Sequence, residues 1–324
     1  MARSDRDRQP ARAGRSDRAG AAKRAVKRLE RIRAADQIGQ SEKTNQTRRC
    51  LCRLSDASLS RSKPVRTRYA AARRRAPRDY LRSRARHRVG DLSDNYQAGV
   101  FYLESGHTVE LLESARALFH DFRKKGGIFL QQPVTEFHCE DSHVVAAMTA
   151  SSKLKADLFV LAAGIWSHDL CCGLGLRLPL DAERRYHVTL PEQGIKIYSP
   201  VVLADMKFEV TPMHYGLRLA GTIEFGDISA PPTQKRYDLL LASARRVLQG
   251  LKTDGATRWM GCRPSFPDSL PVIDRSPKQQ NMLLAFGRGH LGLTSAGVTG
   301  KAIADLAAGR DTDFDLTPFR ADRF

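Results

Sequence analysis

From about Gly90 onward, apolar residues recur at spacings that predict regular structure; before that point they do not. "GVFYLE" (99–104) reads as a strand. Thr108 is a suitable N-cap, and the spacing after it puts Leu111, Ala115, Leu118 and Phe122 on one face of a helix. Glu110 and Glu113 fall in its first turns and Arg123, Lys124 and Lys125 in its last, as the helix dipole favours, and Gly126-Gly127 ends it. Short strands are predicted at 128–131, 134–140 and 143–149. The run "DLFVLAAG" (157–164) has the composition of a parallel strand buried on both faces.

Strand-like segments then recur at 186–190, 201–204, 207–213 and 216–222, which predicts an antiparallel sheet. A helix follows Pro231-Pro232, with Tyr237, Leu240, Leu241, Ala244, Leu248 and Leu251 on its inner side. Strands near 256–263, 270–274 and 282–286 lead to a last helix over about 293–308. The pattern is α/β, of mixed α+β character, with an inserted antiparallel layer at about 180–262.

Charge changes the picture at one end only. The 324 residues carry a formal net charge of +19, but residues 1–88 hold 28 of the 54 Lys and Arg and 8 of the 35 Asp and Glu. The remainder, 26 basic against 27 acidic, is balanced and globular in composition. The Arg-rich segment, 1–94, has too few aromatic and β-branched residues to offset the entropy of ordering, so disorder is expected there. It reads as a nucleic-acid-binding arm, as a solvated tail, or as GC-rich DNA translated in a wrong frame; no nucleic-acid module motif appears, which disfavours the first. Six cysteines show no C-x-x-C pair and no metal spacing, so no metal is expected. No apolar run approaches the roughly 20 residues that span a bilayer, and no secretory leader is present, so a cytoplasmic chain is expected.

The candidate chemistry lies near the other end. In "LLAFGRGHLGLTSAGVTG" (283–300), Gly287, Gly289 and Gly292 form G-x-G-x-x-G between a predicted strand and helix. A dinucleotide-binding first turn needs a second strand after its helix and an acidic residue about 20 positions on. Too little sequence follows for that. What survives is the mechanics: glycines let backbone approach a flat ligand, and the helix N-terminus beyond them favours an electron-rich oxygen.

"ADLFVLAAGIWS", "YHVTLP", "GLRLAGTIEFGD", "WMGCRPSFPDSLPVIDRSP", the glycine stretch and the closing "FRADRF" occur in order from about Asn95 to Phe324. Together they resemble the C-terminal two thirds of a D-amino-acid dehydrogenase, of the FAD-dependent D-amino-acid oxidase and glycine oxidase group. The resemblance implies a Rossmann-like FAD-binding domain carrying an antiparallel substrate domain. It also implies roles. Ala163, Gly164 and Trp166 match a second FAD-contacting segment, and Val134 a position whose backbone meets the adenine. Gly287, Gly289, Gly292 and Thr294 match the loop under the flavin ring. Arg263 matches the residue that holds the substrate carboxylate, a task its planar donor fork suits. His290 would face flavin or substrate, and Tyr186 is a weaker pocket candidate.

The implied reaction is oxidative deamination of a D-amino acid to a 2-oxo acid and ammonia, with hydride passing to FAD and electrons to a membrane quinone or other carrier. Peripheral contact with the inner membrane follows from that acceptor. The sequence departs from the family in residues 1–94, which hold no glycine triad of their own, so a truncated or mis-started chain that binds FAD weakly is expected. Arg185 stands where the family has Gly, and Arg288 where it has His. Two alternatives stay open: a glycine, sarcosine or proline oxidase of the same group, and a non-enzymatic nucleic-acid binder.

Overall fold

The computed structural model describes residues 51–56, 78–81, 89–102 and 105–324. Most of the Arg-rich segment expected to be disordered lies outside the described residues. Two stretches inside it are strands, β1 (Leu51–Asp56) and β2 (Arg78–Leu81). Both pair antiparallel with β3 (Tyr96–Tyr102). The expectation of disorder fails there because neighbouring strands supply backbone partners that composition does not reveal.

By contacts the chain forms two units. One contains residues 184–262 with the described part of 38–129. Its sheet runs in the order β12-β8-β11-β10-β9-β1-β3-β2, with β8 Asp181–Leu190, β9 Val201–Leu203, β10 Phe208–Met213, β11 Gly216–Phe225 and β12 Thr257–Ser265. Strict alternation along β8 points Arg184, Tyr186, Val188 and Leu190 inward. They meet Tyr237, Leu240, Ala244 and Val247 of a helix, Gln234–Val247, which is the one the spacing predicts after Pro231-Pro232.

The helix predicted after Thr108 is α1 (Leu111–Lys124), but its cap is Glu110, whose carboxylate accepts from the Leu112 N–H at 3.1 Å. Its apolar face is not a core face. None of its residues is buried, and Leu118 is 60% and Phe122 48% exposed. Periodicity shows that a helix has an apolar side, not that something covers it.

A buried guanidinium organises the entry to the helix at 234–247. Arg184 Nη2 donates to the carbonyls of Ala230 (2.8 Å) and Pro231 (2.7 Å), and Nη1 lies 3.4 Å from Glu224. Glu224 also accepts from the hydroxyls of Tyr186 and Thr233. These bonds, Tyr186 first, then Thr233 and Arg184, hold the Glu224 carboxyl below its ordinary range.

The second unit comprises Leu130–Glu183 and Arg263–Phe324. A hairpin, β4 (Val134–Glu140) and β5 (His143–Thr149), pairs with β6 (Lys153–Leu154). The predicted strand at 128–131 is not formed. A second sheet has the order β13-β14-β7, from β7 (Phe159–Leu161), β13 (Val272–Arg275) and β14 (Met282–Phe286). All five residues of β14 are buried. The last helix, Ala296–Ala307, packs Val298 and Ala302 on Leu270, Ile273 and Phe319. The C-terminus is tied down: the Asp274 carboxylate accepts from the Ala321 N–H at 2.9 Å, and Arg323 donates to Asp268 and to the Leu270 carbonyl.

Two predictions test this packing. In urea unfolding, Leu240→Ala costs about 2–5 kcal/mol by cavity formation, and Leu118→Ala less than about 0.5 kcal/mol. Equal losses would show α1 to be covered in solution. Because the Glu224 carboxyl is depressed in the folded chain, it adds stability above the ordinary carboxylate range that is lost as pH falls through its folded value. Glu224→Gln therefore flattens the acid limb of a stability–pH profile; an unchanged limb refutes the assignment.

Candidate active site

Strands β7 and β14 are parallel neighbours, with Leu161 opposite Leu284. Their carboxyl ends therefore emerge together: β7 runs into Ala163-Gly164 and β14 into the Gly287 turn. In open α/β sheets such an end is where ligands bind. Gly164 has φ +63° and no atom within 4 Å of where a Cβ would stand, and Trp166 beyond it is 64% exposed.

Two of the three turn glycines are demanded by their surroundings. Gly287 has φ +80°, and a Cβ there would lie 2.1 Å from the Phe266 ring. Gly289 has φ +46°, with its Cβ position 3.3 Å from Ser265 Oγ. Gly292 is different: it is helical in conformation and faces open space. The turn therefore lies flush against residues 264–266 on one side and is open at its other end.

That close approach brings Arg263 to the turn. Its Nη1 is 2.6 Å from Nδ1 of His290, on the short 3₁₀ turn Gly289–Leu291. Arg263 is half-buried and His290 exposed. Arg288 points elsewhere, its Nε donating to the buried Thr299 hydroxyl at 3.2 Å, and desolvation lowers its pKa. Thr294 is exposed just before the last helix, which starts at Ala296 rather than at 293.

Of the residues the sequence singles out, the structure thus joins Arg263, Gly287, Gly289 and His290, with Ala163 and Gly164 at the same end of the sheet. Val134 opens β4, opposite Thr149. Tyr186 is a core residue of the other unit, its hydroxyl bonded to Glu224 and to the Thr233 N–H. Sequence reading missed Phe266, against which the turn packs, and Phe324, which stacks on it at 5.1 Å. The signal available was the fixed order of "RPSF" and the closing "FRADRF".

A sequence model described as "FAD dependent oxidoreductase" matches residues 7–306. The chain belongs to this family. A D-amino-acid oxidase of Bradyrhizobium diazoefficiens is 34% identical over 245 residues, covering 74% of this chain and 58% of the relative. A D-amino acid dehydrogenase of Paramagnetospirillum magneticum is 33% identical over 195 residues, covering 59% and 46%. The chain therefore spans about half the length of these two relatives. Among solved structures, glycine oxidase from Geobacillus kaustophilus superposes with a TM-score of 0.73 at 19% identity, over 95% of this chain and 82% of that one. Iminodiacetate oxidase from Chelativorans sp. BNC1 gives 0.72 at 17% identity, over 94% and 82%. At such identities the likeness shows the fold: that of the flavoenzymes.

The residues present fit the ring end of FAD. Open space at Gly164 and Gly292 leaves room for a flat group, and the glycine turn offers backbone without side chains. The N-terminus of the last helix, at Ala296, adds a partial positive charge at that end.

Gly287→Ala should destabilise by about 1–3 kcal/mol, because the left-handed backbone is strained for alanine and the Phe266 ring must move. Gly292→Ala should cost less than about 1 kcal/mol. Thermal unfolding of both variants checks this; equal losses would place Gly287 in open space.

Proposed function

We propose that the site at the carboxyl ends of β7 and β14 supports FAD-dependent oxidative deamination of a D-amino acid. One observation carries the reading: the hydrogen bond from Arg263 to His290 puts a guanidinium against the glycine turn, so a carboxylate clamp and a ring-binding loop share one place. Likeness to D-amino-acid oxidases and dehydrogenases supports the substrate class.

In this reading Arg263 binds the substrate carboxylate through its planar donor fork, and stays charged at every working pH. The fixed turn sets the distance between that carboxylate and the ring, so that the Cα–H bond faces it; such orientation is a large share of what a protein contributes to cofactor chemistry. Gly287, Gly289, Gly292 and Thr294 would hold the ring on one side and Ala163, Gly164 and Trp166 on the other, with Val134 near the adenine. FAD, when bound, supplies the two-electron acceptor. The amino acid gives up a hydride and a proton, and water then converts the imino acid to a 2-oxo acid and ammonia. Likeness to the dehydrogenase supports a membrane quinone or other carrier as the final acceptor, with the chain peripheral to the membrane. Among the described residues no helix is long and apolar enough to cross one.

Residues 1–94 hold no G-x-G-x-x-G to carry the pyrophosphate, so we propose that FAD is held weakly. The purified chain should carry well below one equivalent of flavin. At saturating FAD without oxygen, D-alanine should bleach the flavin band. Arg263→Ala should raise the D-alanine KM about tenfold to a hundredfold, the effect of losing charge-assisted hydrogen bonds. Faster bleaching by glycine or sarcosine would assign the amine oxidase alternative, and no bleaching by any amino acid would overturn the proposal.

A further inference from the structure

Residues 266–270, between β12 and β13, form a tight loop that closes on itself. The Ser269 N–H donates to the Phe266 carbonyl at 2.8 Å with Ser269 at φ +60°, and the Leu270 N–H donates to the Asp268 carboxylate at 3.0 Å. The Phe266 ring stands at the start of this loop and the Asp268 carboxylate at its apex. Both are engaged by the last residues of the sequence. Arg323 donates from Nε to Asp268 at 2.8 Å, from Nη2 to the Leu270 carbonyl at 2.7 Å and from Nη1 to the Arg320 carbonyl at 2.8 Å. So held, its guanidinium lies over the rings of Phe266 and Phe324, which stack with 26° between their planes. A second anchor lies on β13, where the Asp274 carboxylate accepts from the Ala321 N–H at 2.9 Å, next to the fully buried Phe319. The segment 319–324 is thus a strap clamped at two points.

We infer that Arg323 and Phe324 are positioning residues for the flavin ring: they press Phe266 against Gly287 and so hold the glycine turn in one shape. This rests on the proposed role of that turn as the ring-binding loop. Glycine loses more conformational freedom on folding than any other residue, so a turn with glycine at 287, 289 and 292 keeps one conformation only where something walls it in. At Gly287 that wall is the Phe266 ring, which takes up the space of the missing side chain. On its other flanks the ring meets Phe286 at 6.2 Å and Phe324 at 5.1 Å. Phe286 belongs to the buried strand β14 and is fixed by the sheet, whereas Phe324 is exposed and is fixed by the strap. Stacked aromatic rings attract beyond the area they bury, and the guanidinium over both rings adds to that attraction. A ligand that must order a loose turn loses affinity in doing so; a turn ordered beforehand does not impose that cost. The strap therefore acts on ring affinity through Phe266.

The test has two readouts, one of them without flavin. In Phe324→Ala, hydrogen exchange at the Leu291 amide, which donates to the Arg288 carbonyl, should accelerate about threefold to tenfold, the worth of one aromatic stack. The Leu176 and Leu248 amides, bonded to Cys171 and Ala244 on other elements, should stay within about twofold of the parent. The FAD dissociation constant of the same variant, by ultrafiltration, should rise by a similar factor of about threefold to tenfold. Phe324→Tyr should return both readouts to within about twofold of the parent, because its ring still stacks and its hydroxyl reaches water. Asp268→Asn, which weakens the anchor of Arg323 and keeps both rings, should move both readouts in the direction of Phe324→Ala. Parental exchange in Phe324→Ala overturns the inference. So does equal acceleration at all three amides, which marks a general loss of stability, and so does failure of Phe324→Tyr to recover. A faster turn with parental FAD affinity overturns it too, since the order of the turn would then not matter to the ring. Parental behaviour of Asp268→Asn removes Arg323 from it. Absence of FAD binding in the parent chain fails the ring-site reading instead, and exchange at Leu291 then decides the strap alone.

Discussion

The geometry of the site depends on one close approach, that of the Gly287 backbone to the Phe266 ring. A side chain at 287 would have to pass within 2.1 Å of a ring atom. The ring has little freedom to retreat. Phe324 stacks on it at 5.1 Å, and the Arg323 guanidinium lies over both rings, at 5.2 Å from Phe266 and 4.4 Å from Phe324. Arg323 is itself anchored by Asp268 and the Leu270 carbonyl. The last two residues of the chain thus back the ring that locates the turn, and the turn locates His290 against Arg263. Packed aromatic surfaces transmit position because the interior is dense and yields little. Residues at the C-terminus consequently set a hydrogen bond made by a side chain 60 positions earlier.

Charge is handled differently in the two units. Arg184 is buried among carbonyls and close to Glu224, with two carbonyl bonds under 2.9 Å. A guanidinium so surrounded builds structure: it holds the Ala230-Pro231 turn so that the following helix starts where Thr233 can bond to Tyr186 and Glu224. Arg288 is also desolvated, yet its bond is to a single neutral hydroxyl, Thr299. Burying a cation without a counter-charge is unfavourable, and the cost is lowest where an anion completes the environment. Asp305 lies on the same helix as Thr299, but Lys301 at 2.7 Å and Arg310 at 3.0 Å already neutralise it.

Local pattern in the sequence was enough to place most strands and both long helices that follow residue 230, because their periodicity reflects faces that really are buried. It failed at α1 for the same reason: Leu118 and Phe122 have the spacing of a core face, and the spacing says nothing about a partner. Thr108 and Glu110 are both acceptors near a helix start, and only backbone conformation chooses between them. At the site, the glycine turn was legible because its demand is local, a backbone with positive φ. Arg263 entered through resemblance, since one arginine before a proline carries no signal of its own. The bond between Arg263 and His290 joins positions 27 apart, and the stack of Phe266 on Phe324 joins positions 58 apart. Neither leaves a local trace.

All the residues assigned to the ring and carboxylate come from Leu130–Glu183 and Arg263–Phe324. The pairing of β7 with β14 delivers Ala163-Gly164 and the glycine turn to one end of one sheet, and β12 ends at Ser265 beside that turn. Affinity for a dinucleotide comes largely from phosphate contacts at a helix N-terminus, whereas in the proposed reading the amino acid is held by a guanidinium. In the proposed reading, flavin affinity and amino-acid selectivity therefore rest on different contacts.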